Sequence, residues 1–476
     1  MGRLVAQYSA RLYPTMPFLN GFCLLIRRQV IREIGYLDEE TFGAGYGEED
    51  DYALRSRQAG WLLALADDTY VYHAQSRSYS TESRNRLTKR AGKLLSEKHG
   101  QQIIGEGVAF CQQDRVLEGI RARSCVMFAR QDWIKKGRAK FAGRRVLFVL
   151  PISKPGGGGN VIIDEAMSMR EMGVDVRIFN LIVHRDKFEQ AYPTLEIPAI
   201  YGHKEDLSTL ASEYDAIVAT HNASVEWLAP ITLQDGRPVR GYYVQGFEPY
   251  MYPSKTESFQ RARDSYSLFP DLVRFTKTEW TRREVKKQTG VESTLVGISL
   301  NIDLFRPRPR SGADRPDRPL RIAAMVRPDA PYREPKRTME LLRRASRRYG
   351  TGVEIVTFGA SSDDPGLAEL PTDFACKLAG VLTRGQIARL LNEVDIFVDF
   401  SSHQAMGLTA LEAMACGAAV IVPKRGGAVG FARHKENSLV VDTSSWRTCW
   451  RALRRLIEDH DLCSHLQRNA LVDVVD

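Results

Sequence analysis

The chain has 476 residues, 43% of them hydrophobic, and a formal net charge of +9. That length is too great for one hydrophobic core and implies two or three domains. No window reaches the roughly 20 uninterrupted apolar residues that span a bilayer. The opening "MGRLVAQYSARLYP" has no apolar signal core, so a cytoplasmic location is expected.

The seven cysteines (23, 111, 125, 376, 416, 449 and 463) are scattered and form no CxxC, which fits reduced thiols and argues against a zinc site. Basic residues cluster at 84–93, 135–145, 306–310 and 343–348. Such runs are commonly solvated surface and linkers. The same excess attracts anions, either nucleotide phosphates or the acidic face of a membrane, where a peripheral contact is one reading. No aromatic-basic interleaving of a nucleic-acid module is present, and no nucleic-acid partner is expected.

In chain order, residues 1–95 mix short strands and helices, and 96–143 read as a polar helical connector. A new pattern starts at Arg144. "RRVLFVLPI" is a buried-strand run, "SKPGGGGN" a glycine loop, "VIIDEAMSMREMG" a helix and "VDVRIFNL" a second strand. Strand, loop, helix, strand is a βαβ unit. The strand "YDAIVATHN" extends the series. A stretch rich in Pro, Arg and Asp at 306–319 reads as a linker. A second series follows from 320: "LRIAAMV", the helix "KRTMELLRRASRRYG", "VEIVTFG", the helix "RGQIARLLNEV", "DIFVDF", a helix over 408–416 and "AAVIVP". Residues 144–305 and 320–476 are thus two consecutive doubly wound α/β domains. Ligands of such sheets bind beyond the carboxyl ends of the strands, here in the cleft between the domains.

The final loop and helix, "SSHQAMGLTALEAMACG", carry the most chemistry. Gly407 allows close backbone approach, and the amides of Leu408 and Thr409 open a helix. A helix N-terminus aimed into a cleft suits a diphosphate. Glu412, one turn in, is placed to accept hydrogen bonds from a ribose diol; the plain alternative is a solvent-facing helix residue. Arg327 follows a strand and Lys336 opens the next helix, two cations suited to a diphosphate leaving group or to ordinary surface charge.

Together these residues carry a resemblance. Residues 321–441 resemble the nucleotide-sugar-binding domain of family 4 glycosyltransferases, which have the GT-B fold. The matching elements are Arg327 with Lys336, the strand ending at Gly359, the 378–402 run, and "GLTALEAMACGAAVIVP". The resemblance implies two facing Rossmann-like domains, a nucleotide diphosphate sugar donor and retention of configuration. The family usually carries two glutamates eight residues apart. Glu412 matches the second, and Gln404 stands where the first would be. Glutamine keeps the hydrogen-bonding shape without the charge. The implied donor site comprises Gly157 and Gly158 of the 156–159 run, Arg327, Lys336, Gly359, Gly407, Leu408, Thr409 and Glu412. Arg327, Lys336 and Glu412 are expected to share one crevice.

"YYVQGFEPYMYP" (242–253) is similar to a stretch of a rhamnosyltransferase subgroup that uses dTDP-rhamnose in bacterial polysaccharide assembly. Gln245, Glu248 and Tyr250 match, and Gly246 replaces an acid. An aromatic loop with one carboxylate suits sugar stacking and hydroxyl recognition. His221, just past a strand end, is either a satisfied structural histidine or one that positions the acceptor.

Residues 19–73 resemble the acceptor-side half of a family 2 glycosyltransferase, with a GT-A fold. "GEEDDYALR" matches through Asp51 and Arg55. Glu49 takes the position of the catalytic base, and His73 that of a metal-ligand histidine. The nucleotide-binding half with its DxD motif has no counterpart in residues 1–47, so the chain is expected to begin inside that domain. The last long helix of the family 4 fold likewise has no evident match.

The expectation is therefore an α/β protein with a GT-B fold of two facing Rossmann-like domains, preceded by a partial GT-A domain. It would move a sugar, plausibly rhamnose, from a nucleotide diphosphate sugar to a glycan or lipid-linked acceptor in bacterial surface polysaccharide synthesis. The GT-B part requires no cofactor; a divalent metal enters only if the GT-A half is completed. The rival is a non-catalytic glycan-binding or scaffold remnant.

Overall fold

The computed structural model describes residues 2–19, 21–43, 46–74, 80–154, 156–308 and 318–474. These form two compact units, one running to Ala129 and one comprising Arg130–Val474. The division falls inside a long helix, so the stretch from 96 to 129 belongs to the first unit instead of standing apart as a connector.

The first unit is helical: α1 (Gly2–Tyr8), α2 (Arg28–Ile34), α3 (Glu39–Phe42), α4 (Glu48–Gln58), α5 (Thr81–His99), α6 (Gln101–Gln113) and the start of α7 (Arg115–Phe141). The short strands expected here are not formed among its described residues, where pairing is limited to one antiparallel bridge, Thr15–Ala64. A strand needs a neighbour to bond its amides and carbonyls, and these segments have none beyond that bridge.

The second unit holds two parallel sheets. The first contains β1 (Arg145–Val149), β2 (Asp175–Leu181), β3 (Ala199–Gly202), β4 (Ala216–Ala219), β5 (Val239–Val244), β6 (Val273–Thr276) and β7 (Thr294–Leu295), in the order β3-β2-β1-β4-β5-β6-β7. Between these strands run α8 (Gly157–Glu171), α9 (Arg185–Ala191), α10 (Leu207–Leu210), α11 (Asn222–Glu226), α12 (Glu257–Asp264) and α13 (Glu279–Thr289). The second contains β8 (Leu320–Met325), β9 (Val353–Phe358), β10 (Lys377–Leu378), β11 (Ile396–Val398), β12 (Ala419–Pro423) and β13 (Leu439–Val441), in the order β10-β9-β8-β11-β12-β13. Its helices are α14 (Pro335–Tyr349), α15 (Arg384–Asn392), α16 (Leu408–Ala415), α17 (Trp446–Glu458) and α18 (His460–Asp473).

Parallel strands are covered on both faces, so they read as continuous apolar runs. Ile322 and Ala324 of β8 join one core and Ala323 between them joins the other, as the two-residue period demands. In each sheet the strand order reverses, at β1/β4 and at β8/β11. The crevice outside the carboxyl ends at such a reversal is where an open α/β sheet takes its ligand. Residues 309–317 of the expected linker lie outside the described residues. Among the described residues, no helix is long and apolar enough to cross a membrane.

Candidate functional site

A cavity of about 250 Å³ lies between the two sheets of the second unit, at their carboxyl ends. The first sheet contributes Gln245 and Gly246 after β5 and Lys277 after β6. The second contributes Arg327 after β8, Asp399 after β11 and the loop 403–409. Two helix starts reach it as well: Gly157 and Gly158 of α8, and Leu408 and Thr409 of α16.

The glycine run was expected as a loop ahead of a helix at Val161. Instead, Gly157–Asn160 form the first turn of α8. The turn packs closely enough to need glycine at one position: a Cβ on Gly159 would lie 2.5 Å from Ile152 Cδ1 and 3.1 Å from the Tyr192 hydroxyl. Gly407 caps α16 at φ +82°, a left-handed conformation that favours glycine. The unpaired first-turn amides of α16 then point their positive dipole end at the cavity.

Three cations line the wall, Lys277, Arg327 and Arg333, against one carboxylate, Asp399. Lys277 is committed to Glu165 and the Ser299 hydroxyl. Arg327 is held where burial, and then the charge of Arg333, push its pKa down. Two guanidiniums that repel each other in a partly desolvated wall are stabilised by an incoming anion. Arg333 stacks near its own neighbour, its guanidinium 5.6 Å from the Tyr332 ring.

Aromatic rings line the cavity beside these charges. The His403 ring sits 5.6 Å from Tyr250, 6.0 Å from Trp280 and 5.4 Å from Tyr332, so rings from both sheets enclose it. Burial, and then Arg425, push the His403 pKa down, leaving a neutral imidazole at pH 7. Gln404 beside it is almost fully buried; its side-chain amide donates to Ser401 Oγ at 2.9 Å, and its backbone carbonyl accepts from Gly427 N at 2.8 Å. Gln245 donates to the Gly158 carbonyl at 3.0 Å, fixing the start of α8. Thr278 donates to the Ala405 carbonyl at 2.9 Å and ties the two sheets at the base of the cavity.

Of the residues expected from the sequence, Gly157, Gly158, Gln245, Tyr250, Arg327, Gln404, Gly407, Leu408 and Thr409 line this one cavity. Others do not. Lys336 is exposed on the first turn of α14 and off the cavity wall, where Arg333 stands. Gly359, at φ +108°, packs behind Arg327, whose Cγ would be 3.5 Å from an added Cβ. Glu412 is 3% exposed and lies behind the α16 start, on an inward face of the helix. The expected common crevice for Arg327, Lys336 and Glu412 is thus corrected: Arg327 alone lines it.

Glu412 has a specific setting. Arg384, at the start of α15, makes a two-pronged pair with Asp164 of α8 at 2.5 and 2.6 Å, linking the two sheets' helices. Asn301 donates to the same carboxylate at 2.9 Å. The Arg384 guanidinium is 3.9 Å from Glu412 Oε1, beyond hydrogen-bond reach. Because Arg384 is already taken by Asp164, it compensates Glu412 only in part. Burial pushes the Glu412 pKa up to about 8.

His221 and Glu248 are also off the cavity wall. Glu248, 1% exposed, accepts from the Asn222 backbone N at 2.6 Å and from its amide at 2.8 Å, closing the start of α11. His221 Nδ1 accepts from Ala223 N at 3.3 Å, and its Nε2 stands 3.9 Å from Glu248. The structural reading of that histidine therefore describes its contacts. Tyr250 on the same loop reaches both the cavity and Glu284.

In the first unit, Asp51 is fully buried and receives Arg55 Nε at 2.8 Å, Lys98 Nζ at 2.8 Å and His99 Nε2 at 2.7 Å. Burial would raise its carboxyl, but the three partners outweigh that and hold it below the usual range. Arg55 also donates to the Ile34 and Tyr36 carbonyls, both at 2.8 Å. These two residues tie α4 to its surroundings. Glu49 accepts from Gly47 N at 3.3 Å. Its neighbour Asp50 is pushed up to about 6 by burial and by Glu49 and Glu48. His73 stacks on Phe22 at 4.7 Å. Among the described residues no group of three or more His, Cys, Asp or Glu is placed to hold a metal.

Sequence reasoning missed Arg333, Lys277, His403 with its aromatic neighbours, and the Asp164–Arg384 pair. Lys277 had a legible signal, since it directly follows the strand "RFT". The others depend on which side chains face each other across the cleft.

The family Glycosyl transferases group 1 matches residues 370–472. The C-terminal part of the chain carries a group 1 glycosyltransferase domain. The matched stretch contributes Gln404, Gly407 and Thr409 of the cavity and Glu412 behind it. Among curated proteins, the O-antigen biosynthesis protein RfbC of Myxococcus xanthus is 26% identical over 236 residues, 49% of this chain and 17% of its own length. The lipopolysaccharide core biosynthesis glycosyltransferase LpsE of Rhizobium meliloti is 31% identical over 122 residues, 24% of this chain and 34% of its own. The chain therefore spans well under half of these relatives. Among solved structures, Anabaena Alr3699/HepE in complex with UDP and glucose superposes with a TM-score of 0.55 at 16% identity, over 70% of this chain and 94% of that one. WaaG, a glycosyltransferase involved in lipopolysaccharide biosynthesis, gives 0.52 at 13% identity, over 68% and 94%. The second unit thus has a GT-B fold of two Rossmann-like domains.

Proposed function

We propose that the second unit transfers a sugar from a nucleoside diphosphate donor to a glycan or lipid-linked acceptor in bacterial surface polysaccharide synthesis. The observation that carries this is the Arg327–Arg333 pair beside the α16 start on one wall of the inter-sheet cavity. Cations and helix-end amides stabilise a departing diphosphate as its charge develops. HepE binds UDP and glucose in a similar fold, and RfbC and LpsE are named for O-antigen and lipopolysaccharide core synthesis.

The reaction is written as retaining. The acceptor oxygen attacks the anomeric carbon on the face the diphosphate leaves, the carbon–oxygen bond to phosphate breaks, and the diphosphate takes the acceptor proton. This route needs no carboxylate at position 404. Gln404 and His403 would contact donor-sugar hydroxyls, and the aromatic wall suits the apolar edge of a deoxyhexose such as rhamnose. Glu412 acts from behind the helix start, and reaches a ribose diol only with a shift of Arg384. Gln245 and Tyr250 of the 245–250 loop would shape the acceptor side, with His221 and Glu248 holding the start of α11 behind it. In this reading the cations take the place of a metal; a divalent ion, with Glu49 as base and His73 as ligand, would belong to the first unit and its resemblance to family 2. Action at the cytoplasmic membrane face fits a lipid-linked acceptor.

Release of nucleoside diphosphate from a panel including dTDP-rhamnose and UDP-glucose tests the reading. Release that is lost in Arg327→Ala/Arg333→Ala and reduced in Gln404→Ala supports it. No release from any donor, together with no thermal shift by UDP or dTDP, refutes it. Glutamine at 404 favours a second reading, a non-catalytic glycan-binding protein, which predicts glycan binding without turnover in the same assay.

A further inference from the structure

On the second sheet, α14 and α17 pack side by side. Two shallow, adjoining depressions between them are lined by six arginines (343, 344, 347, 447, 451 and 454), two tryptophans and one carboxylate, Glu340. The Arg344 guanidinium lies 5.0 Å from the Trp446 ring and 4.6 Å from the Trp450 ring. Arg343 and Arg347 share a single carboxylate, Asp373, and Arg454 shares Glu458 with Arg348. Arg447 and Arg451 are exposed and have no carboxylate partner among the described residues.

We infer that this face docks on an anionic phospholipid surface. It rests on the peripheral-membrane part of the proposed function alone, and its readout is binding. The charge is spread along both helices, which matches a plane of phosphates better than one small anion. Arginine binds phosphate with paired N–H groups, and juxtamembrane basic clusters gain affinity from an anionic leaflet. The half-buried Trp446 sits at the rim, the position tryptophan takes at a membrane–water interface. A single-stranded nucleic acid would instead need ring faces open for base stacking, and here Arg344 lies over both rings. The face is separate from the cavity. Thr338, in the first turn of α14, lines the cavity, and Arg344 lies roughly 9 Å further along the helix axis at 1.5 Å per residue. Docking there leaves the cavity open.

The test is co-sedimentation of the full chain with vesicles of phosphatidylcholine alone and of phosphatidylcholine mixed with phosphatidylglycerol, at low and raised salt. Binding is expected only to the mixed vesicles and should fall with salt. Arg447→Gln/Arg451→Gln should weaken it roughly twenty-five-fold, at about fivefold per arginine, with thermal stability and nucleoside diphosphate release unchanged. Arg447→Lys/Arg451→Lys should retain binding, which separates lost charge from lost folding. Equal binding to neutral vesicles, an unaffected Gln variant, or binding of duplex DNA with none to anionic vesicles overturns the inference. Failure of the transferase assay leaves it standing.

Discussion

Replacing Glu412 with Gln should stabilise the protein, and by an amount that depends on pH. In the folded chain burial pushes this carboxyl to about 8, against 4.5 for an ordinary glutamate. Below about pH 4.5 it is protonated in both folded and unfolded chains, and Gln is a near-isostere of the neutral acid. As pH rises from there, the unfolded chain ionises and the folded one does not, so wild-type stability falls. One pH unit is worth about 1.4 kcal/mol. The deficit reaches about 3 kcal/mol at pH 7 and a ceiling of about 5 kcal/mol near pH 8, where it levels off. Glu412→Gln lacks this loss. Urea unfolding of both proteins across this pH range, followed by tryptophan fluorescence, measures the difference. A gap that stays flat with pH, or a wild type more stable at pH 8, refutes the reasoning and means that Arg384 fully compensates Glu412.

Three further outcomes follow from the same geometry. Asp164→Ala leaves the half-buried Arg384 without its two-pronged partner, which costs about 1–3 kcal/mol when nothing replaces it. Because Arg384 then turns to Glu412, unfolding should show a smaller loss and a weaker pH dependence than wild type. Arg333→Ala should weaken UDP or dTDP binding by calorimetry about tenfold to a hundredfold, the range of a charged hydrogen bond, while Lys336→Ala changes it about twofold or less. Gly426→Ala would place a Cβ 2.1 Å from the Gln404 carbonyl oxygen at a φ of +126°, and should lower stability by about 2–4 kcal/mol in a thermal or urea melt.

The two sheets were legible in the sequence because parallel strands are buried on both faces. Runs such as "VLFV" and "IAAM" cannot be mistaken for surface, and Gly407 marks where α16 opens after a strand, whereas the glycines at 157 and 158 suggested a loop and form the first turn of α8. The first unit was less legible. Its apolar segments suggest strands, but a strand exists only with a neighbour to bond to, and sequence pattern does not supply one.

The same limit applies to the site. Periodicity along the chain determined which residues stand at strand ends and helix starts, so Arg327 and the 407–409 turn were placed on the cavity from the sequence, and the family resemblance placed Gln404 beside them. Which side chain then faces the cavity was decided by packing across the cleft. Arg333 stands there instead of Lys336, and Glu412 lies on the packed face of α16, where Arg384, held by Asp164, only partly offsets its charge. His403 is enclosed by rings from both sheets, a contact between residues far apart in the chain. Local pattern reports the direction of a residue relative to its own strand or helix. The electrostatic partners of Glu412 and Arg384 come from other elements, and only the folded arrangement brings them together.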